Sequence, residues 1–177
     1  MIIHLNGMPG VGKLTIAKSL ARILSARLID NHRLIDAVLT CTERGSPSYF
    51  RVLMDITNIV LAELKKAPKH EVLIFTNALA NGLPEDIQRF RAIQKLAKIR
   101  KTNFFPILLT CSLPENKKRL QSATRKEKSK LMNPNILSKL VKQYTLVHPK
   151  KLPQALILDV TNFSPDEAAR KIKRHIM

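Results

Sequence analysis

At 177 residues the chain is close to the roughly 150 expected of one domain, so size excludes two unrelated domains. Its 45% hydrophobic and 25% charged residues exclude a disordered profile and allow a sizeable core. Lys and Arg number 31 against 13 Asp and Glu, a net +18 that favours anions such as nucleotides, sugar phosphates, nucleic acids or acidic membranes.

No stretch approaches 18 apolar residues, and Met1 to Gly7 has neither a basic leader nor a cleavage site, so a cytoplasmic protein without a membrane segment is expected. Cys41 and Cys111 lack CxxC spacing and nearby His, which argues against zinc or a disulfide framework and predicts two buried thiols. With 5% aromatics and no Trp, stacking platforms for single-stranded nucleic acid are poorly supported.

In chain order, Met1 to Asn6 is a short apolar run with a β-branched pair, which predicts a buried strand. Thr15 to Ser25 carries Ile16, Leu20, Ile23 and Leu24 at helical spacing. Arg27 to Asp30 predicts a second strand, followed by a helix over 33–39 and a break at Gly45-Ser46-Pro47-Ser48. Phe50, Leu53, Ile56, Val60 and Leu64 mark the next helix, and Glu71 to Thr76 a third strand of the continuous apolar kind found in parallel sheets. Pro84-Glu85-Asp86 opens a helix reaching about Arg100. Phe104 to Thr110 predicts the fourth strand, with Pro106 allowed only near its start.

Ser112-Leu113-Pro114-Glu115 and Ser164-Pro165-Asp166-Glu167 both have the form of a capping box, and Asn133-Pro134 predicts one more cap. Ala155 to Val160 predicts the fifth strand. Strands separated by helices of ten or more residues imply βαβ units and a three-layer α/β/α fold with a mainly parallel five-stranded sheet.

Gly7-Met8-Pro9-Gly10-Val11-Gly12-Lys13 follows the first strand directly and opens the first helix, matching G-x-x-x-x-G-K in the context that motif requires. Three of the five glycines fall here, where backbone amides must close around phosphate oxygens without obstruction from Cβ. The competing reading is an ordinary glycine turn. After Lys13 stands Leu14, where the motif usually has the hydroxyl that touches Mg2+, and Thr15 lies one place later, so a metal would be held largely through water.

These residues resemble the P-loop small-molecule and nucleoside monophosphate kinases, which include adenylate kinase, shikimate kinase and chloramphenicol phosphotransferase. The resemblance spans most of the chain, with the first loop as its specific part. It implies a single P-loop NTPase domain over 1–177, with ATP and Mg2+ as cofactors and Gly7 to Thr15 as the nucleotide cradle. By the same resemblance Gly12-Lys13-Leu14-Thr15 is the adenylate kinase variant of the loop end, with Thr15 on the α-phosphate. Asp30, in Leu28-Ile29-Asp30-Asn31-His32, takes the place of an acid ending the second strand.

A carboxylate at the end of a parallel strand can accept a hydroxyl proton or hold Mg2+ through water; Asp30 is equally a good N-cap for the helix that follows. Asn31 and His32 are candidates for the acceptor pocket, a segment over 31–67, although a lone His is often a surface or cap residue. The third strand ends without a Walker B acid. Thr76 and Asn77 there either hydrogen-bond a substrate hydroxyl or form the turn before Gly82.

Lys117 to Lys130 holds seven basic residues against Glu127, which reads as a solvated face or, by resemblance, as a lid over 117–132. Arg119 would then stack near adenine or touch phosphate, Arg125 would stabilise the transferring phosphoryl group, and main-chain groups around Thr161 would read the base. The leading expectation is an ATP-dependent kinase of a small acceptor. The alternative is a nucleotide-regulated nucleic-acid-binding protein, or a kinase of an RNA or oligonucleotide end, suggested by the +18 charge.

Overall fold

Residues Ile2–Gly7 form β1, and all six are buried. In the computed structural model, which describes residues 1–121, 133–147 and 152–177, β1 is the centre of a five-stranded sheet. The other strands are β2 (Arg27–Asp30), β3 (Leu73–Asn77), β4 (Phe104–Thr110) and β5 (Leu156–Asp159). Their order is β2-β3-β1-β4-β5, and every pair is parallel. Described helices are α1 (Lys13–Leu24), α2 (Asn31–Leu39), α3 (Pro47–Leu64), α4 (Pro84–Ile99), α5 (Leu113–Leu120), α6 (Pro134–Gln143) and α7 (Pro165–Ile176). None of them is long and apolar enough to cross a membrane.

Successive strand residues face opposite sides of the sheet, and this parity assigns the two covering layers. Ile3 and Leu5 of β1, Ile74 of β3 and Phe105, Ile107 and Leu109 of β4 pack on Ile16, Ala17 and Leu20 of α1 and on Ala168 and Ile172 of α7. Ile2, Leu73 and Phe75 face the other way, onto Leu61 and Leu64 of α3 and Ile93 and Leu96 of α4. Each fully buried Leu or Ile of this kind contributes about 1.5–3 kcal/mol. A third cluster, Ile35, Val38, Tyr49 and Leu53, joins α2 to α3. Pro106 lies ahead of Ile107, the first residue of β4 paired with β5, as its missing N–H requires.

The same parity puts His4 and Asn6 on the α3–α4 side. His4 has no exposure, its Nε2 lies 3.1 Å from Asn77 Oδ1, and its Nδ1 has no partner among the described residues. Phe90 and Phe104 pack around the ring. Burial pushes the His4 pKa down from 6.5 to about 4, opposed by the Asn77 hydrogen bond and assisted by the Arg89 charge. Because the folded value is depressed, the neutral ring stabilises the fold above pH 6.5, and that contribution is lost as pH falls through 4. The shift corresponds to about 3 kcal/mol. Urea unfolding at pH 7 and pH 4.5 is expected to show His4→Gln losing about 2–3 kcal/mol less than the wild type across that interval; equal losses would deny His4 a role in acid sensitivity.

Three sequence expectations are corrected. Cys41 is exposed, because it lies in the turn after α2, where its Sγ donates to Val38 O at 3.4 Å. Cys111 is half-buried, and burial pushes its thiol pKa up. Ser112 does not form a capping box: its side chain makes no cap bond to α5, its N–H donates to Thr161 Oγ1 at 2.8 Å, and Glu115 pairs instead with Arg119. The Ser164–Glu167 box does form, with both reciprocal bonds present. Thr76 and Asn77 belong to β3 itself rather than to a turn.

Candidate functional site

The loop from Gly7 to Gly12 turns sharply because Gly10 and Gly12 adopt φ of +91° and +103°, where a side chain would be strained. A Cβ on Gly10 would also overlap the Asn116 amide oxygen, and Leu120 Cδ1 would lie at 3.1 Å. Gly12 is the N-cap of α1 and supplies no side-chain oxygen, so the first-turn amides keep no capping partner from it. By contrast, side chains of Asp30, Ser46, Asn133 and Ser164 cap α2, α3, α6 and α7. An uncapped helix N-terminus behind a glycine loop fits phosphate oxygens. Lys13 Nζ donates to Gly7 O at 2.7 Å and Met8 O at 2.9 Å, which holds its ammonium across the loop. Leu14 presents only carbon, and Thr15 is exposed one residue later.

The helices after adjacent strands β1 and β3 lie on opposite faces, α1 on one and α4 on the other. Their carboxyl ends therefore frame a topological switch point, where ligands bind in open α/β sheets. Asp30 stands opposite Thr76 in the β2–β3 register, and Thr76 opposite Leu5 of β1. Strand parity puts this row on the α1 side, the side of the phosphate loop.

Asp30 Oδ1 accepts from His32 N and from Thr76 Oγ1, both at 3.2 Å. Oδ2 makes no hydrogen bond with the described residues. Through Oδ1 the carboxylate is thus the N-cap of α2, the second of the two sequence readings. Asn31 and Asn77 line a small cavity of about 20 Å³ on the opposite face, together with Thr57 and Arg89. That is room for about one water. His32 lies at the start of α2 and lines neither cavity of this region.

Several groups of the site escaped the sequence reading. Asn6 Oδ1 accepts from Leu79 N at 2.8 Å, and its Nδ2 donates to Leu79 O and Val147 O. One amide thereby ties the end of β1 to the loop after β3 and to the segment after α6. Asp86 accepts from Ala80 N at 2.8 Å and from Arg89 Nη2 at 2.6 Å, in a pair whose side chains are about one-tenth exposed. Composition gives no sign of these contacts; the Pro84-Glu85-Asp86 helix start was visible, but not its use as an anchor.

Arg119 projects from α5 between the phosphate loop and the loop after β5. It donates to Glu115 Oε1, Val11 O, Val160 O and Thr161 O at 2.8–3.1 Å. Thr161 is further fixed by Ser112 N on its hydroxyl and by its own N–H on Asp159 Oδ1. Arg125 and residues 122–132 of the expected lid lie outside the described residues.

The sequence pattern of a family described as "AAA domain" matches residues 3–140. No curated protein matches the sequence significantly. Among solved structures, a gluconokinase from Sinorhizobium meliloti superposes with a TM-score of 0.65 at 14% identity, covering 98% of this chain and 90% of its own. A shikimate kinase from Bacteroides thetaiotaomicron gives 0.62 at 20% identity, covering 99% and 98%. The APS kinase of Mycobacterium tuberculosis, solved with AMPPNP and APS, gives 0.61 at 17%, covering 99% and 96%. These likenesses establish the α/β fold of P-loop kinases.

Proposed function

This chain belongs to the AAA domain family, and we propose that it is a phosphotransferase, a P-loop kinase moving the γ-phosphoryl group of ATP to a hydroxyl or phosphate of a small acceptor. The observation that carries this reading is the Lys13 loop and the Asp30 carboxylate on one face of the sheet. Two inter-strand steps separate β1 from β2, about 10 Å, which leaves space for a reacting hydroxyl between them.

The loop amides and Lys13 hold the phosphates and follow the charge that develops on the transferring group. Asp30 Oδ2 takes the acceptor proton as the acceptor oxygen bonds to γ-phosphorus and the bond to ADP breaks. Thr76 and His32 N hold Asp30 Oδ1 and so aim Oδ2. Mg2+, when bound, would supply charge neutralisation to the phosphates; with Leu14 in the usual hydroxyl place, Asp30 and Thr15 would hold it through water. Asn31 and His32, within the acceptor segment 31–67, and Thr76 and Asn77, at the end of β3, border the acceptor. Arg119 and Thr161 flank the base, and Arg125, in a lid over 117–132, meets the phosphoryl group as water is excluded. The enzyme works in the cytoplasm.

With γ-labelled ATP and a metabolite panel, Asp30→Asn is expected to lower turnover about 100-fold with KM for ATP nearly unchanged. Asn caps a helix as well as Asp does, so α2 should survive. Unchanged turnover would leave Asp30 as a cap alone. The +18 charge supports the second reading, a nucleic-acid partner or RNA-end kinase. Under that reading binding would weaken steeply with salt, whereas transfer to a small neutral acceptor would respond mildly.

A further inference from the structure

From the outer surface of α4 we infer that this chain docks double-stranded nucleic acid by its phosphodiester backbone, through a basic stripe at the end of the sheet away from the phosphate loop. The inference rests on the second reading above, a nucleic-acid partner, and gives that partner a place. Arg91, Lys95 and Lys98 recur at i, i+4 and i+7 and are exposed, while Phe90, Ile93, Leu96 and Ala97 of the same helix are buried. Lys101 extends the row past the end of the helix, to about 15 Å in length. The Arg100 guanidinium donates to Leu64 O, Ala67 O and Pro68 O at 2.7–2.8 Å, which holds the loop after α3 beside this end of α4. Exposed Lys65 and Lys69 on that loop widen the patch. Asn103 O accepts from Ile2 N at the start of β1, so the length of β1, about 20 Å, separates the patch from the loop that begins at Gly7.

An ordinary solvated helix face alternates the sign of its charges. This one does not: no Asp or Glu stands between Asp86 and Glu115, or between Glu63 and Glu71. Glu63 is paired with Lys66 at 2.9 Å and Glu71 with Arg27 at 2.8 Å. The side chains of Arg91, Lys95, Lys98, Lys101, Lys65 and Lys69 make no ion pair with a described residue. Like charges three and four apart on a helix repel, and a polyanion laid along the row turns that repulsion into attraction. Cations in a last turn answer the helix dipole, but that effect fades within one turn, and Arg91 is the eighth of the 16 residues of α4. The terminal carbonyls are bonded already, those of α3 by Arg100 and those of α4 by Lys101 N and Thr102 N. Ile99 is the one large exposed apolar side chain on the patch, and the apolar face of α4 lies in the core, so there is no apolar face to enter a bilayer. No Phe or Tyr is exposed along 63–71 or 87–103, so unstacked bases find no platform. The occupant that fits is the rigid line of phosphates of a duplex, held without reference to its sequence.

The test is fluorescence anisotropy of labelled duplexes of about 20 base pairs, one of RNA and one of DNA, in about 50 mM salt. Lys95→Gln/Lys98→Gln/Lys101→Gln is compared with a control of equal charge on the opposite helical layer, Lys18→Gln/Arg170→Gln/Arg174→Gln, each shown to be folded by its unfolding transition. The loop pair Lys65→Gln/Lys69→Gln probes the same patch independently. Wild-type binding to at least one duplex is expected, with Kd on the order of 10⁻⁶ M. The α4 triple should bind at least about tenfold more weakly, with its slope of log K against log salt smaller by about 2–3. The loop pair should also lose affinity, and the control should stay within about twofold of wild type. Equal weakening in the α4 triple and the control would mean that net charge alone acts, and overturns the inference. Displacement of the duplex by Mg2+ and AMPPNP would put it in the phosphate loop, which overturns the inference and leaves the RNA-end kinase reading standing. Binding to vesicles of phosphatidylserine and phosphatidylcholine but to neither duplex would make the patch a lipid surface, and also overturns it. No binding of the wild type to either duplex removes the inference and the second reading together.

Discussion

Replacing Lys13 by Ala is expected to lower phosphoryl transfer by about 10²–10⁴-fold, the range seen when one preorganised charge at a reacting group is removed. The ammonium has two tasks that Ala cannot share. It crosses the loop to Gly7 O and Met8 O, and from there it is positioned to move onto phosphate oxygens as they arrive. Without it the loop amides remain and still bind nucleotide weakly, so the loss should fall mainly on turnover. The helix α1 does not depend on Lys13 for its cap, and urea unfolding should change by no more than about 1–3 kcal/mol. Lys13→Arg keeps the charge but replaces a compact ammonium by a wider fork, and should recover only part of the activity. Labelling of acceptor that persists undiminished in Lys13→Ala would remove the loop from the reaction.

The largest stability effect is expected at Asp86. Asp86→Leu leaves the Arg89 guanidinium buried without its carboxylate and the Ala80 N–H without its acceptor. Breaking such a pair from one side costs about 3–5 kcal/mol, and at roughly 2–4 °C per kcal/mol for a chain of this size Tm should fall by about 6–20 °C. The double variant Asp86→Leu/Arg89→Met removes the stranded charge with its partner. It should regain most of the loss, since a buried ion pair is often no more stabilising than well-packed apolar side chains. A single variant within about 1 kcal/mol of wild type would show that water reaches this pair freely.

The elements legible in the sequence were those whose cause is local. Glycines spaced around Lys13 between an apolar run and an amphipathic helix specify strand, loop and helix within about twenty residues, and β1, the loop and α1 stand where that spacing puts them. The Ser164–Glu167 box formed with both reciprocal bonds, although Arg170 and Lys171 follow one turn along α7. At Ser112 the same four-residue pattern failed, because Arg119, one turn further along α5, takes Glu115 while bridging to Val11, Val160 and Thr161.

What stayed hidden depends on pairing between distant segments. His4 meets Asn77 and Asn6 meets Leu79 across 73 residues, a consequence of β3 lying beside β1. Arg89 reaches Asn31 across 58 residues. Asp30 was legible as the N-cap of α2, but the sharing of its Oδ1 between that cap and Thr76 follows only from the β2–β3 register.

Isothermal titration calorimetry of the intact protein with Mg2+-loaded ATP, and with GTP in parallel, tests the central claim most directly. One site per chain with saturable heat, weakened at least tenfold in Lys13→Ala, is the predicted result. Absence of any heat at millimolar nucleotide, in protein shown to be folded by its own unfolding transition, would contradict it.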